Sequence, residues 1–466
     1  METIALLSVA LYLLFLIGLG IYADRIKKKG SDDYFLASRG FRTLLLFFTM
    51  TATNFSAFFF LGFPDSAYRL GFGQYGIMAL GTAFMPIMFY ILGRKAWKLG
   101  KEKGYTTAPE LIGGESKSKA LQVLTMLMMV IFTIPYLTVQ AVGGGYIIAP
   151  LTGISAFGGA LVITLSIAFY VSLGGMRASG WTDMVQGIFM FSAMILAGIF
   201  IASALGGLQA AGESAYSEAP ELFVREGGYF TVSIWFSFMV LWILADPMFP
   251  QLFSRFYTAK DEKALKSSMI LYPFVISFLF LIPVLIGVWA RGAGIEAGTN
   301  QIMIAMIENY TPKWLYYLVM LGALSALMST ADSQLFSIST MFVRDLNIGK
   351  RMDEVKAGML ITWLMALFTI ITAYLFLQSG SDIMSFLLKN SFSGLAVLAP
   401  AFIYVLYSNE KSAPLAMISI IAGEVFVVIF AFHDIRMAGL LPGVVAIGIS
   451  GTVLVAGHIP IQKIRL

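Results

Sequence analysis

Residues 49–68 read TMTATNFSAFFFLGFPDSAY, an apolar segment with polar side chains at what would be membrane depth. Three threonines, Asn54 and Ser56 precede a run of phenylalanines, and Gly62 and Pro64 follow it. Branched side chains are stiff in a helix, and proline interrupts one. Carbonyl groups released by such an interruption persist in a membrane only where protein surrounds them or a cavity hydrates them. We therefore predict a transmembrane helix that is broken inside a bundle of other helices.

The composition indicates an integral membrane protein. Of the 466 residues, 58% are hydrophobic and 12% charged, whereas soluble globular proteins are roughly 45–50% apolar and 25% charged. The chain has no cysteine and two histidines, which excludes disulfides and thiolate sites and leaves little for an imidazole metal site. No nucleophile and base are paired in the sequence, so we predict no enzyme. The net charge of +5 arises from lysine and arginine residues in loops beside the membrane. We therefore predict no nucleic-acid partner.

Thirteen apolar stretches have the length, about 20 residues, that a helix needs to cross the hydrocarbon core. The first is too long for a signal peptide, lacks a cleavage pattern and runs into a basic loop, so we expect it to be retained. The loops are too short for a separate catalytic domain, and residues 1–466 are expected to form one transmembrane domain. The predicted spans are 4–23, 42–62, 74–94, 120–146, 150–173, 183–206, 230–250, 268–291, 315–343, 357–378, 383–407, 413–432 and 438–457.

Lysine and arginine residues gather on one side of this topology. With the N-terminus outside and the spans alternating, 25 of the 31 fall on the inner side. Arg255 is among them, in a loop, whereas Lys389 falls within a span. Cytoplasmic loops of membrane proteins carry such an excess of positive charge. We therefore predict a multi-pass protein of the plasma membrane, with its N-terminus outside and its C-terminus in the cytoplasm.

A second interruption is predicted by Pro247 and Pro250, at the end of the seventh span. The second and seventh spans are five apart, so they run in opposite directions. This arrangement is typical of secondary transporters built from inverted repeats, here at about 42–206 and 230–407. The sequence contains no Walker-type phosphate-binding loop, so we do not expect ATP to supply the energy.

The ninth span is also polar at membrane depth, with ALMSTADSQLFSIST at residues 326–340. Small residues permit close helix packing, but that explanation fits the serines better than Asp332. The alternative is a cation site. The adjacent hydroxyls of Ser329 and Thr330, with the Ala326 carbonyl one turn earlier, direct several oxygen atoms to one point. Such oxygen ligands suit sodium.

Three other ionisable residues at membrane depth allow more than one interpretation. Asp246 is either a functional residue or a helix cap near the inner face. Glu424 either faces a neighbouring helix or takes part in transport. Lys389 extends to the outer interface, pairs with Asp332 or binds an anionic substrate.

Four segments, in this order, resemble motifs of the sodium:solute symporter family, and the resemblance extends over about residues 5–410. They are SDDYFLASRG (31–40), GGMRASGWTDMVQ (174–186), DPMFPQLFSRFYTAKDEKAL (246–265) and ALMSTADSQLFSISTMFVRDL (326–346). The resemblance implies an all-α, leucine-transporter-like fold of five-plus-five inverted repeats, with one leading and two trailing helices.

The resemblance also implies Na⁺ as the coupling ion. The main sodium site, carried over by position, comprises the backbone oxygens of Ala52, Phe55 and Ala326. The hydroxyl groups of Ser329 and Thr330 complete it. Some members have a second sodium site nearer the cytoplasm, and its matching residues are Asp183, Ser329, Asp332 and Ser333. Those members carry a hydroxyl where this chain has Asp332, so the second site is expected to be altered or more strongly anionic.

The substrate is less well defined by the sequence. Positions that are polar in the sugar carriers of the family are Phe58 and Phe59 here, which argues against a polyhydroxylated sugar. An apolar pocket with few polar groups fits a small amino acid such as proline, or a carboxylate such as pantothenate or a monocarboxylate. The predicted substrate-binding residues are Asn54, Ser56, Phe59, Tyr136, Gln140 and Asn390.

These observations predict a sodium-coupled symporter in the lipid bilayer that imports a small organic solute by alternating access. The sequence makes no prediction of its oligomeric state. One alternative is a proton-coupled carrier in which Asp183 or Asp332 carries the proton. Another is a membrane solute sensor, which the short C-terminal tail does not favour because it leaves no room for a signalling domain.

Overall fold

The computed structural model describes residues 2–26, 30–224, 229–350, 352–433, 437 and 439–464. The regular elements of these residues are helices, so the predicted all-α class is confirmed. In chain order they are α1 Glu2–Ile26, α2 Ser31–Leu36, α3 Thr43–Asn54, α4 Phe63–Leu70, α5 Gly73–Lys103, α6 Ala108–Glu115, α7 Lys119–Thr152, α8 Ala156–Ala204, α9 Leu208–Glu218, α10 Val232–Ala245, α11 Pro250–Thr258, α12 Glu262–Gly292, α13 Ile302–Tyr310, α14 Lys313–Asp345, α15 Glu354–Ser379, α16 Ile383–Leu387, α17 Ser393–Tyr407, α18 Ala413–His433 and α19 Pro442–Ile464.

Nine helices of the described residues are long and apolar enough to cross a membrane, or eleven if each of two bent pairs is one span. The count of thirteen stays a prediction. Part of the difference lies in α8, whose 49 residues would measure roughly 74 Å if straight. The backbone of α8 is non-helical at Gly175, between the spans predicted at 150–173 and 183–206. Several cations of the charge count lie outside the described residues, namely Lys27, Lys28, Lys29, Arg225, Arg351, Arg436 and Arg465.

Both predicted interruptions are present. The axis turns by 56° between Thr43–Asn54 and Phe58–Leu70, and Phe55 between them has an extended backbone. The first break therefore lies upstream of the Gly62 and Pro64 that were expected to cause it. Pro64 sits in the first turn of α4, where a proline is tolerated because its missing N–H would have no partner there.

The second interruption has the same form as the first. The axis turns by 58° between Val232–Met248 and Pro250–Thr258, and Phe249 is extended. Pro250 begins α11 rather than ending the span. The chain therefore continues as a helix beyond residue 250, where the sequence placed a loop.

The centre of the bundle is occupied by α14. In the most apolar 18-residue stretch of α14, 72% of the residues are buried. The corresponding share in α1, at the periphery, is 22%. Because protein rather than lipid surrounds α14, its hydroxyl and carboxylate side chains find polar partners. This burial explains how so polar a helix is accommodated at membrane depth.

Gly175 has a backbone conformation that only glycine adopts readily, with φ 57° and ψ −152°. A Cβ atom there would lie 2.6 Å from the carbonyl oxygen of Tyr34 in α2. We expect Gly175→Ala to destabilise the protein by about 1–3 kcal/mol, measured as a lower melting temperature in detergent. Gly448→Ala in α19 is the control, because its added methyl group meets no atom within 4 Å. Equal melting of the two variants would contradict this expectation.

Candidate functional site

Five oxygen atoms meet where α14 passes the break after α3. The Ser329 hydroxyl donates to the carbonyl oxygens of Ala52 and Ala326, at 2.8 and 2.9 Å. The Thr330 hydroxyl donates to the carbonyl oxygens of Phe55 and Ala326, at 2.8 and 3.2 Å. All five residues are fully buried. The structure thus brings together every residue that the resemblance assigned to the main sodium site.

Local structure explains why these carbonyl groups are available. Ala52 lies in the last turn of α3, and the final carbonyl groups of a helix have no partner further along it. At Phe55 the extended backbone ends the helical bonding pattern. Carbonyl and hydroxyl oxygens are the ligands of hard cations. Because these five are all neutral, the arrangement suits a monovalent cation such as sodium better than a divalent one.

A second polar cluster surrounds the fully buried side chain of Arg255 on α11. Its guanidinium donates to the Asp183 carboxylate at 3.0 Å, to the Ser179 hydroxyl at 2.9 Å and to the Ser333 hydroxyl. Asp332 accepts hydrogen bonds from Ser179 and Ser333, at 3.2 and 3.0 Å. These five residues are called the Arg255 cluster below.

The burial of Arg255 corrects the sequence analysis, which placed this residue in an inner loop. Pro250 begins α11, so the helix returns Arg255 to the interior of the bundle. The Arg255 cluster contains three of the four residues predicted for a second sodium site, but they surround a guanidinium. The fourth, Ser329, bonds within the five-oxygen group instead. The available signal in the motif at 246–265 was Pro250, because proline is favoured at the first position of a helix and so is compatible with a new helix beginning there.

Two residues outside the predicted sites contribute to the Arg255 cluster. Thr49 on α3 donates to Asp183 and accepts from the Arg255 Nε at 2.8 Å. Tyr170 on α8 donates to Asp332 at 3.0 Å. The Oδ1 atom of Asp183 has no partner among the described residues. With both carboxylates ionised, the Arg255 cluster carries one net negative charge.

Three predicted substrate-binding residues meet at the break after α3. The Tyr136 hydroxyl donates to the Ser56 hydroxyl at 3.1 Å. The Gln140 side chain accepts from the backbone N–H of Ala57 at 2.9 Å and donates to the Tyr136 carbonyl at 3.0 Å. These bonds fix the broken segment against α7.

Aromatic rings fill the space between the two helix breaks. Trp242 and Phe249 come from the second break, and their ring centres lie 4.5 and 5.0 Å from that of Phe392. Tyr136 lies 5.1 Å from Phe249, and Phe58 lies 5.8 Å from Trp242. These five residues form what is called the aromatic layer below. It contains the predicted Tyr136 and adds three rings that the sequence analysis did not select.

The remaining predicted substrate residues lie apart from the aromatic layer. Phe59 packs against Phe55 and Phe280 instead, at 4.3 and 5.1 Å. The side chain of Asn54 donates to the Tyr272 hydroxyl at 2.6 Å. Asn390 is exposed, and its amide donates to the carbonyl group of its own helical turn.

The family model of the sodium:solute symporter family matches residues 34–423, most of the chain and both breaks. The chain belongs to this family. Among its relatives, a sodium/pantothenate symporter of Escherichia coli (strain K12) is 27% identical over 98% of this chain and 97% of its own. A sodium/proline symporter of Staphylococcus aureus (strain bovine RF122 / ET3-1) is 23% identical over 91% and 85%.

A solved structure of a Na⁺-coupled sialic acid symporter, substrate-bound and outward-open, has the same fold. Its TM-score is 0.79, at 20% sequence identity, over 98% of both chains. This likeness confirms the leucine-transporter-like fold. Membership of the family makes the chain a multi-pass membrane transporter with Na⁺ as its coupling ion.

Proposed function

We propose that this protein uses an inward sodium gradient to import a small organic solute by alternating access. The observation that supports this is the five-oxygen group, which takes its atoms from both α3 and α14. Sodium bound there would hold the broken helix against the centre of the bundle. Because the same break carries Ser56 and the N–H of Ala57, sodium would also order the solute site. Each ligand then raises the affinity for the other, and this coupling is reciprocal.

We infer that one sodium ion is transported in each cycle. Of the residues matching a second sodium site, Asp183 and Ser333 are bonded to Arg255, whose guanidinium lies 3.0 Å from Asp183. A fixed positive charge in that position takes the place of a second ion. The proton-coupled alternative requires Asp183 or Asp332 to release its proton during the cycle, and it predicts uptake without sodium.

The aromatic layer favours a small solute with a largely apolar body. Phe58 lies in this layer, where a sugar would need polar partners for its hydroxyl groups. The relatives' names include pantothenate, proline and monocarboxylate. We therefore propose an amino acid or a small carboxylate as the solute, with Ser56, Tyr136 and Gln140 at the site.

For the orientation we propose an external N-terminus and a cytoplasmic C-terminus, supported by the excess of positive charge in the predicted inner loops. We further propose inverted repeats at about 42–206 and 230–407. Their support is the similar bend of the two broken helices, 56° and 58°.

Uptake into proteoliposomes tests this function. Labelled proline, pantothenate, pyruvate, acetate and glucose would each be offered with an inward sodium gradient, and again with a proton gradient in sodium-free buffer. We expect sodium-driven accumulation of an amino acid or a carboxylate, with a Hill coefficient for sodium near 1. Glucose should not accumulate.

Each contrary outcome has a distinct meaning. Accumulation driven by protons alone would support the proton-coupled alternative. A Hill coefficient near 2 would contradict the single-ion inference but leave sodium coupling in place. Sodium binding to the protein without uptake of any compound in a wider panel would support the sensor alternative.

A further inference from the structure

Asp246 lies at the second helix break, in the single turn between α10 and the extended Phe249. Asp246 is 5% exposed. The sequence suggested a helix cap near the inner face, but α11 begins without a side-chain cap. The Oδ2 atom instead receives a long hydrogen bond, 3.4 Å, from the amide of Asn54. Asp246 therefore faces the first break rather than the membrane surface.

The Asp246 carboxylate lacks a cationic partner. Its Oδ1 atom has no hydrogen-bond partner among the described residues, and none of their lysine or arginine side chains forms an ion pair with it. Removing an unpaired carboxylate from water costs several kcal/mol. Intramembrane charges of this kind are functional candidates for that reason. A positive charge beside the carboxylate would offset this cost.

Aromatic rings surround the same break. The Asn54 amide that contacts Asp246 also donates to the Tyr272 hydroxyl, at 2.6 Å, so Tyr272 lies beside the carboxylate. Phe249 follows Asp246 three residues later and packs edge to face against Tyr136, with 5.1 Å between the ring centres. Aromatic faces attract cations, and a carboxylate beside them adds full charge complementarity. A small ligand with a positive charge fits this environment.

Gln251 supplies an independent observation at this break. It lies in the first turn of α11 and is 1% exposed, and neither its Oε1 nor its Nε2 atom has a partner among the described residues. Buried amides are normally hydrogen-bonded. Within six residues, three buried polar atoms therefore lack a partner among the described residues: one carboxylate oxygen of Asp246 and both amide atoms of Gln251. A polar ligand at this break would satisfy them.

We propose that Asp246 binds a positively charged nitrogen of the transported solute. This inference rests on the proposed function and narrows it, because it selects solutes with an ammonium group over simple carboxylates. The ammonium group would lie between the Asp246 carboxylate and the aromatic layer. The remainder of the solute would contact Ser56, Tyr136 and Gln140 at the first break.

The test compares wild type with Asp246→Asn and Asp246→Glu. Labelled proline and glycine betaine carry a charged nitrogen, whereas pantothenate and pyruvate do not. We expect sodium-driven uptake of a charged-nitrogen solute, with a KM raised about 10-fold or more in Asp246→Asn and partly restored in Asp246→Glu. The same solute should raise the melting temperature of wild type in sodium buffer, but not that of Asp246→Asn.

Glu424→Gln is the matched control. Glu424 is also a buried carboxylate, 7% exposed, whose two oxygens lack partners among the described residues, but it lies on α18, away from both breaks. We expect its KM to equal that of wild type. A similar KM increase in both variants would overturn the proposal, because charge removal would then act through the fold.

Other outcomes separate this proposal from the function on which it rests. Sodium-driven uptake of pantothenate or pyruvate, and of neither charged-nitrogen solute, would overturn the role of Asp246 and leave the symporter in place. An unchanged KM in Asp246→Asn would do the same. Binding of a charged-nitrogen solute that needs Asp246 but not sodium would support this role and contradict sodium coupling.

Discussion

Removing the Thr330 hydroxyl by Thr330→Val is expected to raise the sodium concentration for half-maximal uptake about 100-fold. When a residue that hydrogen-bonds to a metal ligand is lost, the affinity for the metal typically falls about 10- to 100-fold. We expect the loss of a ligand itself to cause a decrease at the upper end of this range. The hydroxyl lies 2.8 Å from the Phe55 carbonyl and 3.2 Å from that of Ala326. Valine has nearly the same shape but places a methyl group among the oxygens. Sodium-dependent initial rates of uptake measure the effect.

Thr330→Ser provides the matched control, because it keeps the hydroxyl and removes only the methyl group. We expect its sodium dependence to stay within about 10-fold of wild type. A second readout is stabilisation by sodium, which reaches about 2.7 kcal/mol at 100 times the dissociation constant. Thr330→Val should lose this stabilisation, so its melting temperature should be the same in sodium and in potassium buffer. The loss of two buried hydrogen bonds lowers both values relative to wild type. Unchanged sodium dependence in Thr330→Val would exclude the five-oxygen group as the sodium site.

The fold was largely predictable because each membrane-spanning helix needs a long apolar run, and such runs are visible in the sequence. Each predicted span overlaps a helix of the structure, including the spans that contain both breaks. The position of the first break was not predictable from Gly62 and Pro64. A proline in the first turn of a helix does not interrupt that helix. The actual break lies at Phe55, which is neither a glycine nor a proline. The main sodium site was predicted from the resemblance, and residue spacing alone indicated only its α14 half.

What the sequence missed depends on contacts between distant segments. Arg255 ends an apolar run, so a hydropathy count assigns it to a loop, yet its partner Asp183 lies 72 residues earlier in the chain. Asp246 and Asn54 are 192 residues apart. Nothing in either local sequence indicates that these pairs meet. Asp246 and Asn54 meet because the two broken helices pack together. Arg255 and Asp183 meet because the Arg255 side chain on α11 also contacts α8.

The Arg255 cluster joins the parts of the molecule that must move against each other. Arg255 lies on α11, and its partners Thr49, Asp183 and Ser333 lie on α3, α8 and α14. Two of these four helices, α3 and α11, belong to the broken pairs. In alternating access, one group of helices rocks against the rest around the central site. We therefore expect the bonds of Arg255 to rearrange during this motion.

Arg255→Ala is expected to reduce uptake at least 100-fold and to destabilise the protein. Breaking a buried ion pair by removing one partner costs about 3–5 kcal/mol. Here Asp183 loses its ion-pair partner, and Asp332 loses the positive charge that contacts its own partners Ser179 and Ser333. Because an unpaired buried charge can be neutralised by a bound ion, we also expect sodium to enter the vacated space. Melting temperatures in sodium and in potassium buffer measure both effects.

The variant should therefore gain a second stabilisation by sodium, in addition to the one that wild type shows. Sodium is expected to stabilise Arg255→Ala more than wild type, because the two carboxylates and the Ser333 hydroxyl match a second sodium site. Adding Asp183→Asn should remove this extra stabilisation while raising the melting temperature in potassium buffer, since it removes one of the unpaired charges. Arg177→Ala is the control, because Arg177 is bonded to Asp33 at 2.5 Å but is partly exposed. An Arg255→Ala protein that melts like wild type, with no greater response to sodium, would show that the guanidinium does not take the place of an ion.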